Sequence, residues 1–218
     1  MAGPVVHGDT GLSRLDSAIG AFGTARAQVL REAGNVIAAA IAVDAADDAC
    51  AAGATNAATA ARATVRTATP RARLALSVLP ARNATYSHAL DSLAAAERAA
   101  TSLNADQRAK VDAVVAGGRD EKAAADAFRV AGSSAWPVYA QLDATQSTWL
   151  DHRIAGWFRT QQEAADAYVV MRQEGLPALQ RARTRLERVD ATRRLVSERE
   201  RAAVAAADTA LASLRRPG

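Results

Sequence analysis

A chain of 218 residues, half of them apolar, can bury one sizeable core or two small ones. Alanine makes up roughly a quarter of it and aromatics only 4%, which favours helix and leaves little to build strands. The net charge is +4, the pI is near 9.8, and Cys50 is the only cysteine, so an internal disulfide and any two-cysteine zinc or redox motif are excluded.

Residues 1–11, with Gly3, Pro4, Gly8 and Gly11, read as a flexible N-terminal tail without the basic and apolar regions of a secretory leader. No apolar run approaches the roughly 20 residues that span a bilayer, so no transmembrane segment is expected. The cytoplasm is the expected compartment, leaderless export aside. Arginine almost wholly replaces lysine (Lys110 and Lys122 alone remain), and with the alanine content this is the bias of a GC-rich bacterial genome.

Residues 12–216 read as a single helical-bundle domain. From Leu12 the positions Leu15, Ile19, Phe22, Arg26, Val29, Ala33, Val36, Ala40 and Val43 recur at steps of three and four, the seam of a bundle or coiled-coil helix. The seam then continues in small residues, through Asp47, Cys50, Ala54 and Ala57. Gly53 is a candidate kink, and Pro70 closes the segment at the latest. A second helical segment is interrupted at Pro80 and continues through Tyr86, Leu90 and Leu93 to Leu103. Asn104 with Gln107 forms a capping-box pattern for a short helix. Gly117-Gly118 is the strongest interior break, and Ser133 or Ser134 caps the next long helix with Pro137 in its first turn. Leu150, Ile154, Trp157, Gln161, Ala164, Tyr168 and Met171 carry its seam until Gly175-Leu176-Pro177 ends it. The last helix carries Leu179, Ala182, Leu186, Val189, Arg193, Val196, Glu200, Ala203 and Ala207 on an equally regular seam.

The expected fold is all-α, an elongated antiparallel bundle of four to five long helices. A short turn at residues 175–177 folds the last two helices into a hairpin that sets Tyr168 beside Leu186, Met171 beside Ala182, Trp157 beside Val196 and Gln161 opposite Arg193. Arg26, Gln161 and Arg193, polar residues on otherwise apolar seams, are candidates for a buried polar layer that fixes register.

No catalytic, cofactor-binding or metal-binding constellation emerges. His7, His88 and His152 are isolated, and no Glu stands three residues before a His. Asp151, His152 and Arg153 point in different directions around a helix. Asp44, Asp47 and Asp48 share much of one face and read as surface charge. Cys50 reads as a small buried hydrophobe. Residues 177–218 hold ten Arg against five Asp/Glu, whereas residues 1–65 hold four against six. Arg181, Arg185 and Arg188 line one helix face and are candidates for binding a polyanion, either nucleic acid or an anionic membrane surface. Arg183–Glu187, Asp190–Arg194 and Arg194–Glu198 stand at i,i+4 and would neutralise the rest of that helix.

Tyr139-Ala140-Gln141-Leu142-Asp143 is similar to the Tyr-x-x-x-Asp/Glu pattern of helical substrates of type VII secretion systems, without the Trp-x-Gly turn those proteins carry. The long basic helices also resemble, in composition alone, the helical membrane-remodelling proteins. The reading the residues favour is a non-enzymatic helical scaffold or adaptor acting through helix–helix contacts with a protein partner or its own copies. Self-association follows from the alanine-lined half of the first helix, which has too little bulk to close a core alone. The alternatives are polyanion binding through the last helix and a small helical enzyme.

Overall fold

A computed structural model describes residues 11–215 as α1 (Leu12–Ala51), α2 (Thr55–Ala99), α3 (Ala105–Ile154), α4 (Gln161–Arg172) and α5 (Leu176–Arg215). A one-turn 3-10 segment, Gln173–Gly175, joins α4 to α5. Helix accounts for 93% of the described residues, and no strand occurs among them. The chain is an all-α bundle of four long helices. Residues 1–10 of the expected tail lie outside the described residues.

The bundle divides into two compact units that share α1, α2, α3 and α5. The first comprises residues 11–29, 81–126 and 191–215, and the second residues 30–80 and 127–190. In the second unit Gln146 of α3 donates to the Val43 carbonyl of α1, while Arg62 of α2 reaches Asp143. In the first unit Arg82 of α2 reaches Gln28 of α1, Asn83 reaches Asp126 of α3, and Gln107 of α3 reaches the Ala210 carbonyl of α5. The long helices α1, α2 and α3 therefore alternate in direction.

The chain turns where left-handed glycines allow it. After α1, Gly53 takes φ +63 and Ala54 N–H bonds back to the Ala49 carbonyl; after α3, Gly156 takes φ +78 and Trp157 N–H bonds back to His152. Both have the six-to-one bond of a Schellman stop, which needs a residue free to adopt positive φ. The Asn104–Gln107 capping box forms in both directions, at 2.9 and 3.0 Å, and opens α3.

Several expected breaks are absent. Gly117-Gly118 and Pro137 lie inside α3, and Pro70 and Pro80 inside α2. The three prolines are exposed, so the carbonyls they free face solvent, while Ala72, Ala75 and Leu79 keep the opposite face of α2 buried. Gly118 serves packing: a Cβ there would stand 2.8 Å from Leu90 Cδ1 and 3.2 Å from the Phe22 ring. Ser133 and Ser134 are accordingly mid-helix residues, not caps.

The expected hairpin at residues 175–177 is also absent. Pro177 falls in the first turn of α5, where its missing N–H costs nothing, so the chain tightens into a 3-10 turn and continues. Along α3, Ala164 lies at Trp149 and Leu176 and Leu179 lie at Leu142 and Val138, so α4 and α5 follow one direction. Tyr168 and Leu186, like Met171 and Ala182, therefore sit on one helical run rather than across a turn. The reversal occurs earlier, at residues 155–160.

The alanine-lined half of α1 is covered within the second unit. Cys50 and Ala58 pack with Trp149, Leu150, Ala164 and Tyr168, whose rings supply the bulk the alanines lack. The shortage of bulk that suggested self-association is met within the chain.

Gly53→Ala should lower the unfolding free energy by about 1–3 kcal/mol, because its φ is left-handed and a Cβ would overlap the Gln161 carbonyl. Gly20→Ala, in an open stretch of α1 with nothing within 4 Å, should raise it by about 1 kcal/mol. Urea unfolding of both variants checks the pair.

Candidate functional site

In the second unit the polar network centres on Asp47, which is fully buried. Its carboxylate accepts Tyr168 Oη at 2.7 Å, Arg172 Nη1 at 2.6 Å and Arg183 Nη2 at 3.1 Å. Asp44, one turn away, takes Arg183 Nε at 2.7 Å and Tyr139 Oη at 3.4 Å. Arg172 also lies over the Tyr168 ring, 5.5 Å from its centroid. Asp47 is therefore an interior ion-pair partner and Asp44 a half-buried one, not the surface charge their spacing suggests, and Arg183 turns to them rather than to Glu187. Burial pushes the Asp44 carboxyl up, opposed by the bond and charge of Arg183. Burial pulls the Arg183 guanidinium down, but the hydrogen bond and charge of Asp44 outweigh it and leave it raised.

A second cluster lies one helix over. Arg62, buried on α2, binds the carboxylate and carbonyl of Asp143 and the hydroxyl of Ser147 on α3. Tyr139 and Asp143, the residues similar to a secretion motif, are thus both engaged internally. Burial, then the charge of Asp47, pushes the Cys50 thiol up to about 12, so it is a packing residue and not a nucleophile near neutral pH.

The first unit holds its own polar layer. Arg26 of α1 donates Nε to Glu121 Oε2 at 2.7 Å and Nη2 to the carbonyl and hydroxyl of Ser197 at 2.8 and 2.9 Å. Tyr86 of α2 donates to Glu121 Oε2 and sits within 3.1 Å of the Gly118 carbonyl oxygen. Glu200 of α5 is fully buried, with both carboxylate oxygens unpartnered. Of the residues singled out in sequence for a polar layer, Arg26 stands in this cluster. Arg193, a residue of the same unit, is also buried. Gln161 is an exposed residue of the second unit, where it donates to the Ala52 carbonyl at 2.8 Å and ties α4 to the α1–α2 turn.

No family model, curated protein sequence or solved structure matches the chain.

Among the described residues no group of three or more His, Cys, Asp or Glu could hold a metal ion, and no helix is long and apolar enough to cross a membrane. A cavity of about 70 Å³ sits at the α4–α5 joint, lined by apolar residues with Gln141, Thr145, Arg172 and Glu174 at its polar side. Arg181, Arg185 and Arg188 are exposed on α5 and line a shallow concavity with Gln180 and Thr184.

The most unusual surface is the α3–α4 turn. Ile154 is 71% exposed and Trp157 66% exposed. The Trp157 ring is not loose: it stacks on His152 at 3.8 Å and 15°, while Arg153 bonds the Phe158 carbonyl and the Thr55 hydroxyl beneath it. The spacing of Ile154 and Trp157 in the sequence fits a continuous seam. The stop at Gly156 removes them from it.

Removing Asp47 takes the carboxylate from Arg172 and leaves Arg183 with Asp44 alone, and breaking a largely buried pair in this way costs about 3–5 kcal/mol. Asp47→Ala should show that loss in urea unfolding, whereas Asp48→Ala, on the exposed side of the same turn, should change stability by less than about 0.5 kcal/mol.

Proposed function

We propose that the protein is a non-enzymatic helical scaffold or adaptor that works through helix–helix contacts with protein partners, its own copies included. The observation that carries this reading is the Ile154–Trp157 turn. An exposed aromatic ring already stacked on a neighbour brings a large apolar area to a partner and has few rotamers to lose on docking. Of the eight large hydrophobic residues exposed among the described residues, only Leu195 belongs to the first unit. The second unit therefore offers the contacts, and Val170 of α4, 68% exposed, belongs to it as well. The buried polar groups support the same reading, because Asp44, Asp47 and Arg62 are occupied in joining helices and not in facing a substrate-sized cleft.

A second reading rests on Arg181, Arg185 and Arg188. Arg181 and Arg185 make no ion pair among the described residues, which leaves two guanidinium groups to an external anion. Polyanion binding would fall steeply with salt and vanish in the triple Gln variant.

Photo-crosslinking side chains introduced at Ile154, Trp157 and Val170 should give protein adducts in native extract or with the purified chain. The same group at Arg201, exposed in the first unit, should not. Equal labelling at all four positions removes the scaffold reading. Retention on anionic vesicles or nucleic acid that is lost in the triple Arg→Gln variant would favour the second.

A further inference from the structure

Within the first unit, three carboxylate oxygens point into the interior with no hydrogen-bond partner: both of Glu200 and Oε1 of Glu121. Glu200 is fully buried on α5 and Glu121 nearly so on α3. Glu200 lies directly against the α3 backbone, where a Cβ at Gly117 would overlap its Oε2. The absence of a side chain at Gly117 is what admits the carboxylate between the two helices.

The charges around it do not balance. Among the described residues Arg26 of α1 is the cation acting on Glu200, and it is already bonded to Glu121 and Ser197. Against it stand Glu121 and Asp120 of α3, and the phenol of Tyr86 of α2 is already donated to Glu121. The first carboxylate thus has its cation and the second has none. A buried carboxylate without a counter-charge is strongly disfavoured, and a proton is the smallest ligand that neutralises it.

We infer that Glu200 is a proton-binding site that locks α5 to α3 in the first unit, its carboxyl hydrogen shared with the free Oε1 of Glu121, and that loss of this proton loosens α5. Burial first, then the Glu121 charge, pushes the Glu200 carboxyl up to about 7 from an ordinary value of 4.5. The folded chain therefore keeps a proton that the unfolded chain releases between those values. Stability from this site is full below the lower value and falls as pH rises through the upper one. The site thereby responds to a rise in pH from mildly acidic to neutral.

Amide exchange and thermal unfolding of the full chain from about pH 5 to pH 9 test this. In the first unit, α5 protection should fall roughly tenfold per pH unit between about pH 5 and pH 7, after the intrinsic rise in exchange is removed. Glu200→Gln should abolish that slope and raise the melting temperature at about pH 8. Asp44→Asn removes the other raised carboxyl, which lies in the second unit, and should leave the first-unit slope in place. A flat wild-type profile, or a slope that survives in Glu200→Gln, overturns the proposal. Should Glu200→Gln fail to fold, carbon-13 titration of the wild-type carboxyls decides. A Glu200 resonance titrating near neutrality supports the lock, and one titrating in the ordinary carboxylate range overturns it.

Discussion

Alanine-lined helices pack closely but carry little information about register, because one methyl group looks like the next. Sliding such a helix by one turn, about 5.4 Å, would change the buried apolar area only slightly. The seams of this bundle are interrupted by buried Asp47, Arg62, Glu121, Gln146 and Glu200. A one-turn slip of α1 would carry Asp47 away from Tyr168 and Arg172 and leave charges buried without partners, at several kcal/mol each. The apolar residues thus supply the burial and the polar ones select a single alignment. Each unit has its own set, Asp47 with Arg172 and Arg183 in one and Arg26 with Glu121 in the other.

The helical class and the faces of the helices are legible in the sequence because a three–four seam is a property of the local chain. The Asn104–Gln107 cap is legible for the same reason: both partners lie within one turn. The breaks are another matter. Gly117-Gly118 reads as a break by composition, yet Gly118 sits where Phe22 and Leu90 press against α3. That pressure comes from α1 and α2 and leaves no local mark. Gly156 is a single glycine between Ala155 and Trp157, less conspicuous than Gly175-Leu176-Pro177, but it is the one that adopts positive φ. In the sequence the seam runs through it, because Ile154 and Trp157 keep the three–four spacing.

The polar sites were legible by half. Arg26, Asp47, Arg193 and Glu200 all stand at seam positions in the sequence, which marks them as inward-facing. Their partners are not deducible in that way, since Glu121 and Tyr86 come from helices whose alignment depends on the connections. With a break placed at residues 117–118 and a hairpin at 175–177, the wrong faces meet. Asp47 shows the cost of weighing residue type over position. Read with Asp44 and Asp48 it is an acidic cluster, whereas read with Val43 and Cys50 it is a core position that must find cations.

The arginine bias, a property of the genome when taken as composition, acquires physical meaning at particular sites. Arg26 spans two acceptors on two helices, Glu121 and Ser197, with Nε and one Nη. Arg62 holds Asp143 and Ser147 with separate nitrogens, and Arg183 bridges Asp44 and Asp47. A planar fork of donors can do this with a fixed geometry; a lysine ammonium, a single hydrated point on a flexible stem, cannot. The same residue type stands on the outside of α5 at Arg181, Arg185 and Arg188, and the first two make no such bonds among the described residues. Composition treats these arginines alike, and only their position on the helix separates those that define the bundle from those left to solvent or an external anion.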